Sequence, residues 1–250
     1  MPVLRATTVI AAPSRTVAGV LRDADVLRRC GLGVEGAGRW LAAGDEVQVP
    51  GTGVPLRVGS VSPDGVRLGG PGCELVAGLV AVDGGTRMVD EVHLRGPVPG
   101  PFRRLLATRA TVLAEAARAL AGAQVVVATA LVRDAAVLAA RRTRPPELAG
   151  LWELPGGRVE AGESEADAVV RECREELGTD VVVDARLGTD LRIDAGVLRV
   201  HAAHLADGAP GPRALEHSGL RWVTAAEVPG VDWVPADRAV VADLVDLLRP

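Results

Sequence analysis

The sequence predicts an α+β domain followed by an α/β/α sandwich that is built around a mixed sheet. Two observations carry this prediction. Short alternating segments and a long closing helix fill the first half, whereas apolar strand-like runs separated by helical patterns fill the second. The halves meet near 121–123, so we expect domains at 1–121 and 122–250. A length of 250 residues, 48% of them hydrophobic, suits two small domains or one large one.

The first half begins with an alternating segment at 3–10, which indicates a strand. Pro13 and Ser14 follow where a helix would begin. Residues 102–121 have the 3.6-residue apolar period of a long amphipathic helix. Hairpin signals such as PDG and DGG separate the segments between these helices. There we expect strands at 39–48, 55–60, 65–68, 74–82 and 87–95.

One strand, one or two short helices, an antiparallel run and a closing helix is the element order of a helix-grip fold. The segment VIAAPSRTVAGVLRD at 9–23 resembles the opening of the START/polyketide-cyclase-like (SRPBCC) superfamily. The resemblance covers 1–121 and implies an apolar cavity with a small apolar ligand. The alternative is a small α+β domain with a filled core. We find no catalytic arrangement in this half and interpret four polar residues as surface or strand-face groups: Asp23, Asp25, Glu91 and His93.

The second half begins with AQVVVATALVRDAAVLAARR at 123–142, two strand-like runs that turn at Arg133–Asp134. A Gly-rich turn at 155–157 precedes a helix at about 164–177, and a second helix at 235–248 closes the chain. Between the two helices we expect strands near 181–187, 190–193, 197–204 and 219–223.

Composition excludes several functional classes. The chain has no lysine, which removes P-loop, Schiff-base and pyridoxal phosphate chemistry. A net charge of −4 without a basic block argues against a nucleic-acid polymer as partner. No apolar run approaches the roughly 20 residues that span a bilayer, and the N-terminus lacks a signal-peptide pattern, so we expect no membrane partner. Three widely spaced cysteines indicate a reduced, cytoplasmic compartment.

The helix predicted at 164–177 carries a cluster of carboxylates. Glu172, Glu175 and Glu176 are spaced i, i+3 and i+4, which places them on one turn of one face. Oxygen ligands suit Mg²⁺ or Mn²⁺, and such a cluster predicts phosphate-ester chemistry because Mg²⁺ commonly binds substrate phosphates as well. The alternative is an ordinary solvated acidic face, in which Arg171 and Arg174 offset the repulsion.

Local signals define the ends of this helix and its buried side. Ser164 can cap the N-terminus, with Asp167 three residues on, and Gly178 stands where a left-handed C-terminal residue belongs. The predicted buried stripe comprises Ala166, Val169, Val170, Cys173 and Leu177.

These residues match a known family. The stretch from 157 resembles the Nudix box, G-x5-E-x7-R-E-U-x-E-E-x-G-U, in which U is a bulky apolar residue. Cys173 occupies the first U position, and Thr179 is a mild departure at the second. The fixed positions are occupied by Gly157, Glu163, Arg171, Glu172, Glu175, Glu176 and Gly178. The wider likeness covers 122–250 and resembles the MutT branch, which includes 8-oxo-dGTP diphosphatases and CTP pyrophosphohydrolases.

The resemblance implies a role for each matching residue. Glu163 and Arg171 form an internal ion pair that braces the loop against the helix. The catalytic residues are Glu172, Glu175 and Glu176, with either Glu172 or Glu175 as general base. The metal ligands are the backbone carbonyl of Gly156 and the carboxylates of Glu172, Glu175, Glu176 and Glu216. For Glu216 the alternative is that it helps to orient water.

The implied substrate pocket has three further residues. Arg142 on the second strand contacts the substrate, Trp152 lines the pocket, and Asp237 reads the base. The alternative for Asp237 is that it caps the last helix. A carboxylate accepts hydrogen bonds, and cytosine and guanine both present donors, so the sequence leaves the base open.

The implied activity is metal-dependent attack of water on the β-phosphorus of a nucleoside triphosphate, which releases a monophosphate and pyrophosphate. The first candidate substrate is an oxidised nucleotide such as 8-oxo-dGTP, in nucleotide-pool sanitation against DNA damage. The alternative is a cytidine nucleotide: CTP, dCTP or 5-methyl-dCTP. A non-enzyme alternative is a sensor that binds a nucleotide in the second half and an apolar ligand in the first.

Overall fold

The structure is a computed structural model that describes residues 3–34, 38–53, 55–96 and 100–249. The chain separates into two compact units. The first comprises Met1–Ala123 with Thr189–Arg192, and the second comprises Gln124–Gly188 with Ile193–Pro250. The units differ from the domains expected from the sequence at Gly122 and Ala123 and in the segment Thr189–Arg192, which comes from a strand of the second half.

The first unit is an antiparallel sheet with three helices. Seven strands pair in the order β1-β7-β6-β5-β4-β3-β2. The longest helix, α3, packs against β1 and the two short helices. In chain order the elements are β1 (Val3–Ile10), α1 (Ser14–Leu21), α2 (Ala24–Arg29), β2 (Gly33–Val34), β3 (Glu46–Gln48), β4 (Pro55–Ser62), β5 (Gly65–Gly70), β6 (Cys73–Val82), β7 (Gly85–Leu94) and α3 (Gly100–Ala121).

The strand predicted at 39–48 is wrong over most of its length. Within this range only Glu46–Gln48 forms a strand, and Trp40 forms an isolated β-bridge with Asp23. Gly44 has a φ of +96°, and the Asp45 carboxylate accepts a hydrogen bond from the backbone N–H of Ala42 at 2.8 Å. These features make a turn, because a left-handed residue and a side-chain bond to the backbone both interrupt a strand.

The interpretation of Asp23 as a surface residue is also wrong. Its side chain is buried and accepts hydrogen bonds from the backbone N–H groups of Asp25 and Val26, so it caps the N-terminus of α2. Arg192 pairs with the same carboxylate at 2.6 Å. Asp25 is exposed as expected. The inward side chains of this unit, including Phe102 and Leu113, are fully buried, and nothing in the described residues supports an apolar ligand.

The second unit has the mixed sheet that the sequence predicts. Its strands follow the order β10-β9-β8-β12-β11, and β13 pairs with the other side of β9. β12 runs parallel to β8, whereas β9 is antiparallel to β8, β10 and β13. In chain order the elements are β8 (Val125–Arg133), β9 (Ala136–Arg141), β10 (Trp152–Glu153), α4 (Glu165–Leu177), β11 (Val181–Ile193), β12 (Gly196–Leu205), β13 (Leu220–Thr224), α5 (Pro235–Arg238) and α6 (Val241–Leu247).

Two predicted elements of this unit differ from the observed ones. The two strands expected near 181–187 and 190–193 are one continuous strand, β11. The helix expected at 235–248 is divided into α5 and α6. The division follows from hydrogen bonding: the N–H groups of Ala239 and Val240 bond to carbonyls three residues back, at 3.1 Å each, which tightens the turn and ends α5.

The helix that carries the acidic cluster begins and ends as predicted. The Ser164 hydroxyl accepts a hydrogen bond from the Asp167 N–H, and Gly178 has a φ of +63° in the left-handed region. The predicted buried stripe is correct at Val169, Cys173 and Leu177 and wrong at Ala166, which is exposed. Ala168 is buried instead. These side chains pack on β8 and β9, for example against Val127, Leu131 and Leu138.

None of the described helices is both long enough and apolar enough to cross a bilayer.

Candidate active site

The acidic face of α4 lies over the Gly156–Gly157 turn, which packs on β8. A Cβ at Gly156 would lie 2.1 Å from the carbonyl oxygen of Val127, so no larger residue fits against the strand. A Cβ at Gly157 would lie 2.2 Å from Oε1 of Glu172. Because both positions lack a side chain, the turn lies directly against β8 at Gly156 and against the helix at Gly157.

Glu176 is joined to the same turn by a hydrogen bond. The backbone N–H of Gly156 donates to Oε2 of Glu176 at 3.0 Å. The side chain is partly buried, and this burial raises the pKa of Glu176 to about 7, although His217 and the Gly156 bond act in the opposite direction. Burial also raises the pKa of Glu172, against the influence of Arg171. Two carboxyls of the cluster are thus poorly solvated.

Arg171 connects the loop to three glutamates. Its Nε donates to Glu163 at 2.9 Å, and its Nη1 donates to Glu172 at 2.8 Å and to Glu175 at 3.0 Å. The loop carbonyl of Arg158 accepts a further bond from Nη2 at 2.9 Å. The Arg171 hydrogen bond lowers the pKa of Glu163. The structure contains the ion pair of Glu163 with Arg171 that the resemblance implies, and the same guanidinium also neutralises part of the acidic face.

The oxygen donors on α4 and the adjacent turn suit a hard divalent cation, although their carboxylates are not arranged as a complete coordination sphere. Within the described ranges, no three acidic, histidine or cysteine side chains are placed together as metal ligands. Glu172 and Glu175 are bonded to Arg171 instead, and Glu176 to Gly156. The available ligands are oxygen atoms only, and two of them are desolvated carboxyls whose charge a cation would neutralise.

Glu216 lies in a loop that runs along the C-terminal turn of α4. The N–H of Leu215 donates to the carbonyl of Glu176 at 3.0 Å, which places this loop beside the acidic cluster. The carboxylate of Glu216 is half exposed and lies 3.9 Å from Arg144. In the structure, therefore, Glu216 is near the cluster along the backbone, and its carboxylate faces an arginine.

Arg142 follows β9 and is not part of the strand, contrary to the prediction, since β9 ends at Arg141. Its Nη1 forms a short ion pair with Glu153, the residue after Trp152 in β10. Trp152 is half-buried, and its backbone N–H donates to the carbonyl of Asp232 at 2.9 Å.

Asp237 is buried in the first turn of α5 but does not cap that helix. Its carboxylate accepts a hydrogen bond from the N–H of Leu154 at 2.6 Å. Burial raises the pKa of Asp237 to about 7. The capping alternative is wrong, because α5 has no side-chain cap and the carboxyl binds the segment that follows β10.

Sequence reasoning missed Glu153 and His217. The four histidines show no ligand spacing in the sequence, yet Nε2 of His217 lies 3.0 Å from Oε1 of Glu153 and the ring is buried. The only local signal for Glu153 was its position, since it is a charged residue between Trp152 and Leu154 and lies shortly before the Gly-rich turn at 155–157.

Comparison with known proteins identifies the family of the second half. A model of the NUDIX domain matches residues 123–244. A Mycobacterium tuberculosis protein provisionally named 8-oxo-dGTP diphosphatase 2 is 54% identical over 130 residues, which cover 50% of this chain and 91% of that protein. The chain belongs to the Nudix family. The Nudix resemblance expected from the sequence is confirmed, and the hydrolase class with it.

Other relatives of this Nudix hydrolase each match about half of the chain. The CTP pyrophosphohydrolase of Escherichia coli is 39% identical over 113 residues, covering 45% of this chain and 84% of that protein. The solution structure of the E. coli ORF135 protein is 34% identical with a TM-score of 0.44, covering 50% of this chain and 89% of that one. A MutT Nudix hydrolase from Burkholderia pseudomallei is 31% identical with a TM-score of 0.39, covering 48% and 96%.

Proposed function

We propose that this Nudix hydrolase is a divalent-cation-dependent pyrophosphohydrolase that converts a nucleoside triphosphate to the monophosphate and pyrophosphate. The observation that carries the proposal is the contact of Glu172 and Glu176 on α4 with the Gly156–Gly157 turn. This contact supports a site where several oxygen ligands meet beside the turn. The cytoplasmic location predicted from the cysteines stays a prediction.

Five groups would hold Mg²⁺ or Mn²⁺: the Gly156 carbonyl and the carboxylates of Glu172, Glu175, Glu176 and Glu216. Such an ion, when bound, lowers the pKa of water and neutralises charge on the phosphates. Arg171 holds Glu172 and Glu175 on one side of the helix. Glu172 and Glu175 both remain candidates for the general base that takes a proton from the attacking water.

The substrate contacts that we propose are Arg142, Trp152 and Asp237. The Arg142 guanidinium suits phosphate oxygens, and the half-buried Trp152 ring suits a nucleobase face. Asp237 has a pKa of about 7, so near neutral pH its carboxyl exists in both accepting and donating forms.

We propose 8-oxo-dGTP as the substrate, which would make the protein a nucleotide-pool sanitation enzyme that limits DNA damage. The name of the M. tuberculosis relative, at 54% identity, supports this choice. A cytidine nucleotide is the second candidate, supported by the name of the E. coli CTP pyrophosphohydrolase, at 39% identity.

Steady-state pyrophosphate release tests this proposal directly. The substrates are 8-oxo-dGTP, dGTP, dCTP, CTP and 5-methyl-dCTP, each with Mg²⁺ and with excess chelator. We expect the highest kcat/KM with 8-oxo-dGTP and no turnover with chelator. The highest value with a cytidine nucleotide would establish the second candidate, whereas tight binding without turnover of any nucleotide would indicate the sensor.

We also propose that residues 1–121 form a helix-grip domain. The support is the order of their elements, with α1 and α2 after the first strand and α3 after the last, and the sheet order in which β1 pairs with β7. An experimental structure in which α3 does not pack against β1 would contradict this assignment.

A further inference from the structure

Three ionisable side chains, those of Arg142, Glu153 and His217, form a hydrogen-bonded network beside the acidic cluster. Nη1 of Arg142 pairs with Oε2 of Glu153, and Nε2 of His217 donates to Oε1 of the same carboxylate at 3.0 Å. Glu153 is therefore held on both oxygens. The exposed fraction of the side chains falls along this network, from 31% for Arg142 through 13% for Glu153 to 5% for His217. One end reaches solvent, and the other is anchored in the interior.

The three residues lie in or beside three different strands. Arg142 follows β9, Glu153 belongs to β10, and His217 precedes β13. β9 lies between the other two strands in the sheet. The network of Arg142, Glu153 and His217 thus connects three neighbouring parts of the sheet at one edge. A set of contacts that spans three elements can hold one side chain in place better than contacts within a single loop.

The network acts electrostatically on residues at both ends of the proposed substrate site. The charges of His217 and Glu153 act on Glu176, which belongs to the acidic cluster. The charges of Glu153 and Arg142 act on Asp237, the proposed base contact. Backbone contacts agree with this relation. The N–H of Leu154, the residue after Glu153, donates to Asp237 at 2.6 Å. The N–H of Leu215, two residues before His217, donates to the carbonyl of Glu176 at 3.0 Å.

The contacts of Arg142 fix the orientation of its guanidinium. Nε donates to the carbonyl of Arg144 at 2.9 Å, while Nη1 binds Glu153. A guanidinium has five N–H donors, so these two bonds orient the group and leave other donors for a ligand. A free arginine loses considerable side-chain entropy when it binds, and an arginine that is already held loses less.

His217 uses only one of its two ring nitrogens in the contact with Glu153. Among the residues that the structure describes, no group hydrogen-bonds to its buried Nδ1. A buried polar atom without a hydrogen bond destabilises the folded state. A buried water molecule is the usual partner for such an atom.

We propose that Glu153 and His217 are positioning residues, which hold the Arg142 guanidinium in the orientation that binds the nucleotide. The inference rests on the proposed function, in which Arg142 contacts the substrate. Neither residue needs to touch the substrate. Their effect is on binding, because Arg142 would contact the ground state and the transition state alike.

The test compares four variants of the full chain in steady-state kinetics with the preferred nucleotide. His217→Ala removes the bond to Glu153, and we expect KM to rise about tenfold while kcat changes less than about twofold. His217→Gln places an amide nitrogen where Nε2 was and should restore most of the KM. His217→Asn places its amide near Nδ1, too short to reach Glu153, and should behave like the alanine variant. His204→Ala is the matched control, since that exposed histidine pairs with Asp184 at 2.9 Å.

A double-mutant cycle tests the path through Glu153. Glu153→Gln removes the charge that pairs with Arg142, and we expect a similar rise in KM. If His217 acts through Glu153, the Glu153→Gln/His217→Ala double variant is no worse than the worse single variant. Additive losses would overturn the inference, as would equal KM values for the glutamine and asparagine variants of His217.

A binding measurement separates this inference from the proposed function. Calorimetric titration of each variant with a methylene-bridged, non-hydrolysable dGTP needs no turnover. If the wild type binds this probe, a weaker affinity in His217→Ala that His217→Gln restores supports the inference even where no nucleotide is hydrolysed. Unchanged affinity in His217→Ala would overturn the inference about positioning. The proposed function would still stand if the wild-type enzyme hydrolysed a nucleotide. Equal thermal midpoints for the glutamine and asparagine variants would show that folding does not cause the difference.

Discussion

At the scale of single residues, burial sets the chemistry of the site more than residue type does. Glu172, Glu175 and Glu176 are chemically identical and lie within five residues of one another. Yet Glu176 is partly buried with a pKa of about 7, whereas Glu175 is half exposed. The cause is desolvation, which disfavours the charged form of a carboxyl. Three neighbouring glutamates can therefore perform different tasks.

Glu176→Gln should abolish most of the activity without unfolding the chain. The amide keeps the shape of the side chain and can still accept the bond from the Gly156 N–H, but it removes the charge proposed to bind the metal. We expect kcat to fall at least about 100-fold in pyrophosphate release. Glu160→Gln, at an exposed loop position, is the control and should retain full turnover. Wild-type activity of Glu176→Gln would refute the proposed metal site.

Asp237→Asn should change how stability depends on pH. The folded pKa of about 7 is raised above the ordinary value of 3.8, so the buried carboxyl favours folding when protonated. Its contribution is complete below about pH 3.8 and is lost as pH rises towards 7. Asparagine has no such loss. The free energy of unfolding of Asp237→Asn, relative to wild type, should therefore rise between pH 4 and 7 and level off above.

Urea unfolding by circular dichroism at several pH values measures this difference. Asp134→Asn, at a residue whose side chain is 92% exposed, serves as the control and should follow the wild-type profile. Parallel profiles of Asp237→Asn and wild type would mean that folding leaves the pKa of this carboxyl unchanged.

At the scale of elements, the site depends on the contact between one helix and one turn. The two glycines of the turn face different neighbours: Gly156 faces the backbone of β8, and Gly157 faces the carboxylate of Glu172. A backbone atom cannot move without moving its strand, whereas a carboxylate at the end of a flexible side chain can. The two positions should therefore respond differently to an added methyl group.

Gly156→Ala should mainly destabilise the fold, and Gly157→Ala should mainly impair activity. The first places a methyl group 2.1 Å from the Val127 carbonyl oxygen, and we expect a loss of about 1–3 kcal/mol in urea unfolding. The second displaces the Glu172 carboxylate, and we expect near-normal stability with kcat about 100-fold lower. Equal stability losses in the two variants would contradict this view of the turn.

At the scale of the whole molecule, the chain has two units of different construction. The NUDIX match covers 123–244, within the half that holds the proposed site. The first unit is an antiparallel sheet with a buried ion pair between Asp90 of β7 and Arg109 of α3, whose Oδ1 and Nη1 lie 3.3 Å apart. Burial raises the pKa of Asp90, and three polar atoms of the pair lack hydrogen bonds in the described structure. This unit therefore has a costly pair in its core.

Removing one member of this pair should cost more stability than removing both. Arg109→Met leaves Asp90 buried without its counter-ion, and we expect a loss of about 3–5 kcal/mol in urea unfolding. Asp90→Leu/Arg109→Met replaces both charges with apolar groups, so its loss should be smaller than that of Arg109→Met. A double variant less stable than the single one would show that the pair stabilises the unit by its mutual attraction.

The sequence alone determined what is local in this protein. The helix α4, its Ser164 cap, its Gly178 end and the line of three glutamates all follow from spacings within fifteen residues, where helix geometry relates position to direction. The mixed sheet and the Nudix family followed as well. The same reasoning failed for the strand at 39–48 and for the helix at 235–248, where turns of a few residues interrupt an apolar pattern.

Only the tertiary structure decided which distant side chains meet. Glu153 and His217 are 64 positions apart, and Asp237 and Leu154 are 83 apart. Strand pairing and loop paths bring each pair together, and no local pattern records them. Burial of Asp23 and Glu176 depends on the same packing. Sequence spacing reports direction along one element, whereas contact and desolvation depend on how elements are stacked, which is a property of the complete fold.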